Sequence, residues 1–240
     1  MRPTILFLFV LGAASPAAAW HVGSTFDAAP GAGGGGGLFY TGAPRERGWT
    51  CAACHTDAPG ALRVRLTDDG DLFASRTYEP GRAYAIRVAI DEERLGLGAG
   101  RSNFNGMAVT MSGESPGSLG GYDASQFYAR GANILATSAT RAGETEWAFT
   151  WTAPEAGAGE VRMFLGVVDG NGADSAPDET LTDPFGDDVA TGAFVFTERG
   201  ATGRTPEGKG GEISRSASSP RRAQKRYTSS QAKKRGSSAR

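Results

Sequence analysis

Apolar and polar residues alternate at period two in a series of short runs through the middle of the chain. Leu62, Val64 and Leu66 alternate with Arg63 and Arg65, which predicts a half-buried strand over residues 61–67. The turn residues Tyr78-Glu79-Pro80-Gly81 lead into Tyr84, Ile86, Val88 and Ile90, a second strand. Met107, Val109 and Met111 share one face of a third, over residues 104–111. Trp147, Phe149 and Trp151 alternate with Ala148, Thr150 and Thr152 until Pro154 stops the run. Val161, Met163, Leu165 and Val167 repeat the pattern, and Phe194 and Phe196 close the series near residue 197. Residues 126–135 fit neither period, and no segment of useful length has a helical one. Short strands between Gly-, Pro- and Asp-rich turns predict an all-β, immunoglobulin-like antiparallel sandwich over residues 61–199.

The ends of the chain read differently. Arg2, the unbroken apolar run Ile5–Leu11 and the small residues Ala17-Ala18-Ala19 make residues 1–19 a secretory signal peptide. The run is well short of the roughly 20 apolar residues that span a bilayer. No span is expected in the mature chain from Trp20 onward, which is expected to be exported to the periplasm, cell envelope or exterior. Residues 20–60 read as an irregular segment, because Gly31 and Gly33–Gly37 lose too much backbone freedom to hold regular structure. Phe26, Phe39, Tyr40 and Trp49 lie scattered in it and need an apolar surface.

Charge separates the last part. Residues 20–199 hold 13 arginines, no lysine and 24 acidic side chains, a net of −11. Residues 200–240 hold 11 basic against 2 acidic side chains and all four lysines. That tail has too few apolar groups to bury a core and is expected to be disordered. Either a change of reading frame or a genuine basic tail that contacts anionic surfaces accounts for the switch. No nucleic-acid partner is expected.

One motif carries specific chemistry. Cys51-Ala52-Ala53-Cys54-His55 is a C-x-x-C-H sequence, the attachment signature of c-type haem. Each sulfur adds to one vinyl group, the two-residue spacer matches their separation, and the adjacent histidine ligates the iron. These are the only two cysteines of 240 residues, and His21 is the only other histidine, so a zinc site lacks ligands. One covalent haem per chain is expected, on Cys51, Cys54 and His55. The plainer alternative is a small Cys51–Cys54 disulfide beside a surface histidine. For the distal iron position the candidates are Met107, Met111 and His21, with Met163 behind them; core packing is the competing account of the methionines. Asp169-Gly170-Asn171-Gly172-Ala173-Asp174 has the look of a calcium loop. Position twelve is Thr180 and the flanks are strands, so it reads as a solvated turn. No nucleophile elbow, phosphate loop or catalytic carboxylate pair is readable, and the chain is not expected to be an enzyme.

The stretch from Thr41 to Glu198 resembles bacterial secreted proteins with a reelin-like β-sandwich, often called choice-of-anchor domain proteins. The matching pieces are Thr41-Gly42-Ala43-Pro44, the C-x-x-C-H motif, Tyr78-Glu79-Pro80-Gly81 and Asn105-Gly106-Met107. Phe149-Thr150-Trp151-Thr152-Ala153-Pro154 and Val168-Asp169-Gly170-Asn171-Gly172 follow in the same order. The resemblance implies a cell-envelope or extracellular protein and no particular reaction; the anchoring segment usual in such proteins is replaced here by the basic tail. Two functions remain. One is a single-haem protein in electron transfer or redox sensing with an unidentified redox partner. The other is a haem-free adhesion or matrix-binding module.

Overall fold

The computed structural model describes residues 19–20, 23–32, 34–57, 62–91, 105–137, 143–170, 181–182, 185–200 and 214–215. His21, nearly all of the signal peptide and nearly all of the tail beyond residue 200 lie outside them.

The period-two runs become the strands of two facing sheets. The smaller sheet has β1 (Val64–Asp68), β2 (Ala83–Ile90), β4 (Ser118–Gly120) and β7 (Glu146–Thr152), in the order β1-β2-β7-β4. The larger has β3 (Gly106–Ser112), β5 (Phe127–Ala129), β6 (Ile134–Thr137), β8 (Val161–Asp169) and β9 (Phe185–Glu198), in the order β9-β8-β3-β6-β5. All of these neighbours are antiparallel. The ambiguous stretch 126–135 is the tight β5–β6 hairpin, reversed at Gly131 with φ 64°. A single helical turn, α1 (Leu72–Ser75), closes one end and packs Phe73 edge-on against Phe194 and Phe196.

The core lies between the sheets. Ile86, Val88, Trp147, Phe149 and Trp151 of the smaller sheet meet Met107, Val109, Met111, Met163, Leu165, Val167, Phe194 and Phe196 of the larger. Trp151 sits at its centre, with the rings of Tyr78, Tyr84 and Phe196 each 5.7 Å away and its indole N–H donating to the Pro116 carbonyl. A buried indole needs such an acceptor. The architecture is thus an all-β antiparallel sandwich.

The larger sheet is covered on its outer face as well. β3 is buried at five consecutive positions and β8 at its last five, where a one-sided sheet alternates. The outward residues Ala108, Ile134 and Ala136 form a second apolar cluster with Phe39, against which Phe26 and Tyr128 pack. Phe26 and Phe39 of the Gly-rich segment find their surface here, Phe39 stacking between Phe26 and Tyr128 at centroid distances of 5.1 and 6.3 Å, whereas Trp49 stays 52% exposed. Asp27 bridges to Arg130 and accepts the Tyr128 hydroxyl. Asp169, read from sequence as part of a solvated turn, is instead fully buried, directly across from buried Asp188, and Asn105 accepts the Gly170 amide beside it. Residues 171–180 lie outside the described residues.

Candidate functional site

The motif segment is fixed to the outer face of the larger sheet at three points. Its approach is a short closed loop: Thr41 and Thr50 form an isolated bridge, and the Gly42 amide donates to the Trp49 carbonyl at 2.8 Å. Within the loop Pro44–Glu46 makes one 3-10 turn, and Arg47 (φ 58°) and Gly48 (φ 74°) turn the chain back through left-handed backbone. Glu46 is thereby folded underneath, with no exposed surface. Its carboxylate accepts the Thr41 amide at 2.6 Å, and the Thr41 and Thr110 hydroxyls, 3.0 Å apart, lie against it at 2.9 and 3.3 Å. Thr110 belongs to β3, so a buried carboxyl group ties loop to sheet. Burying it is tolerable only because these donors replace water.

The second point is Cys51. Cys51–Ala53 is a single 3-10 turn entered from extended Thr50, and the Cys54 and His55 amides both donate to the Cys51 carbonyl. The Cys51 sulfur rests against Gly166 of β8 so closely that a Cβ on that glycine would lie 2.7 Å from it. The thiol also reaches the Tyr40 carbonyl at 3.5 Å, which Tyr40 presents from a left-handed conformation (φ 55°) rare for a bulky side chain. Burial first, and then the neighbouring Glu46 charge, push the Cys51 thiol up to about 12; burial also pushes Cys54 up. Both cysteines are free thiols. Neither has the depressed pKa of an activated nucleophile.

The third point is His55. Its Nδ1 lies 2.6 Å from Oδ2 of Asp187, and the two side chains are 16% and 5% exposed. The chain then runs on as Thr56–Asp57, paired in parallel with the start of β9 at Phe185 and Asp187. Pairing of Gly166 with Thr191 places Asp187, two pairs of residues further along β9, on the same outward row as the glycine that receives Cys51.

The structure therefore brings Cys51, Cys54 and His55 together on one turn. It does not bring Met107 or Met111 to them. Both methionines, like Met163, point into the core between the sheets, on the face of the larger sheet opposite to the motif. Strand alternation decides this: Ala108 and Thr110 face the motif segment, so Met107, Val109 and Met111 must face the other way. As distal ligands they are corrected to core residues. His21 lies outside the described residues.

The donor set fits a c-type haem in kind. A histidine with Nδ1 against a carboxylate has Nε2 left to face a metal, and two thiols precede it in the required order. Cys51 as placed has its sulfur turned onto Gly166, so a thioether there requires its side chain to rotate outward. Among the described residues no group of three or more His, Cys, Asp and Glu is arranged to hold a metal ion without such a cofactor. Nothing in the sequence singled out Glu46 or Asp187. Gly166 carried a weak sign, a glycine inside an apolar strand, which marks a close approach of another chain segment.

No protein-family model matches the chain, and no curated protein matches it. Among solved structures it is similar to the Reelin-N domain of F-spondin, with 18% identity, 62% of this chain and 87% of that chain covered and a TM-score of 0.36. A human F-spondin reeler domain aligns at 18% identity over 57% of this chain and 92% of that one, with a TM-score of 0.35. AggA, the major subunit of aggregative adherence fimbriae type I from Escherichia coli, aligns at 11% identity over 60% and 97%, with a TM-score of 0.30. At such TM-scores these likenesses carry no argument; the sandwich rests on its own strand register and core.

Proposed function

We propose that the chain is an exported β-sandwich module that works by binding, with the Cys51–His55 segment displayed on the outer face of its larger sheet. The observation that supports this reading is the separation of the two parts. Among the described residues the core between the sheets draws on none before Leu62, and the motif segment is fixed to the outer face by Glu46, Gly166 and Asp187. The partner class in this reading is cell-surface or matrix material. Mature protein starting at Trp20 should co-sediment with isolated cell-envelope material at low salt; protein that stays in the supernatant under all conditions overturns it.

The His55–Asp187 pair favours a second, finer reading: the same module carries one covalent haem c for electron transfer or redox sensing. Cys51 and Cys54 would tether the group and His55 would ligate its iron; when bound, it would supply one-electron chemistry at the sheet surface. Protein purified from a host that matures c-type cytochromes should then retain a Soret band after denaturation and carry the mass of one haem. Cys51→Ala with Cys54→Ala should abolish both. An unmodified mass from such a host overturns the haem reading and leaves the binding module standing.

A further inference from the structure

Asp187 of the sandwich meets the motif histidine at hydrogen-bond distance, across 132 residues of chain. Its place is set by the fold rather than by local sequence. β9 carries it on the outward row shared with Thr191 and Gly166, and the parallel pairing of Thr56–Asp57 with β9 fixes the chain immediately after His55. That pairing anchors the backbone on the C-terminal side of His55, and the imidazole is held from β9 by Asp187. A neutral imidazole has one N–H and one lone pair, and an ionised carboxylate can only accept. For a neutral imidazole against an ionised carboxylate, the 2.6 Å contact between Nδ1 and Asp187 Oδ2 is satisfied with the N–H on Nδ1 and the lone pair on Nε2.

Resting on the haem reading, we propose that Asp187 is the positioning residue of the site: it holds His55 in the Nδ1–H tautomer, so that Nε2 is the ligating nitrogen, and its charge makes that nitrogen a stronger donor. Stronger donation stabilises the oxidised metal and lowers its reduction potential, the usual effect of a carboxylate behind a ligating histidine. The motif thus has a fourth member, supplied by β9.

Two measurements test this. In haem-free, nitrogen-15-labelled full-length protein, long-range nitrogen–proton correlation spectra should show His55 protonated at Nδ1, and Asp187→Ala should return it to the mixture of a free histidine. Finding Nε2–H in the unsubstituted protein overturns the proposal before any variant is made. In haem-loaded protein, Asp187→Asn should change the oxidised-to-reduced ratio at a fixed potential about tenfold towards reduced, an upward shift of about 59 mV for a one-electron couple. Asp187→Glu, which keeps the charge, should restore most of it. Loaded protein whose potential is the same in both variants overturns the proposal alone. Unsubstituted protein that takes up no haem, with His55 still protonated at Nδ1, overturns the haem reading and the ligand role with it.

Discussion

Gly166→Ala tests the seating of the motif segment directly. Gly166 lies in the interior of β8, and its backbone is not left-handed, so an alanine there meets no conformational strain. What it meets is Cys51: the new Cβ would stand 2.7 Å from the sulfur and 3.4 Å from the Tyr40 carbonyl. The first distance is well inside van der Waals contact, so the sulfur must leave its seat on β8. Overpacking of this kind costs about 1–3 kcal/mol. In a domain of this size each kcal/mol moves Tm by about 2–4 °C, so a fall of about 2–12 °C is expected in thermal unfolding. The cycle with Cys51→Ala makes the assay specific. Without the sulfur the same alanine has space, and by restricting the unfolded chain it should be neutral or stabilising by about 0.4–1 kcal/mol. The sign of the Gly166→Ala effect should therefore reverse between the two backgrounds, as a coupling energy from urea unfolding. An equal cost in both backgrounds, or none in either, would refute the seating of Cys51 on β8.

Glu46→Ala should strip the Thr41 amide and the two threonine hydroxyls of their buried acceptor, at a cost of about 1–3 kcal/mol; the loss should appear as faster amide exchange across residues 39–55, with the sandwich strands still protected. Alkylation at neutral pH should label Cys54 well before Cys51, whose thiol is the more deeply buried. The raised Cys51 pKa also fixes a sign: the folded state keeps a proton that the unfolded chain releases above its ordinary value near 9, so stability should fall between about pH 9 and 12, and less so in Cys51→Ala, as followed by urea midpoints. A chain of residues 58–199 should still unfold cooperatively, since among the described residues the core between the sheets draws on none before Leu62, but with an exposed apolar patch at Ala108, Ile134 and Ala136 that binds a hydrophobic dye; a non-cooperative melt would show that the motif segment is part of the folding unit.

Much of the scaffold was legible in the sequence because period-two alternation reports burial on one face, and β1, β2, β3, β7 and β8 each carry it. β9 was legible only at Phe194 and Phe196. Its earlier half, Asp187–Gly192, is largely buried on both faces and carries a single large apolar residue, Val189, among acids, Ala190, Thr191 and Gly192, a pattern that looks like loop until a second layer covers it. The short strands β4, β5 and β6 lack the length to show a period. The C-x-x-C-H spacing by itself marked Cys51, Cys54 and His55, since that chemistry is local in sequence. What surrounds them is not local. Strand alternation sends Met107 and Met111 inward and Ala108 and Thr110 outward, and only the docked segment reveals which face the motif uses. Gly166, Thr110 and Asp187 become part of the site through sheet register, 64 to 132 residues away from the Glu46, Cys51 and His55 that they meet. Local spacing can name the groups that do the chemistry, while their partners, burial and protonation are set by whichever strands the fold lays beneath them.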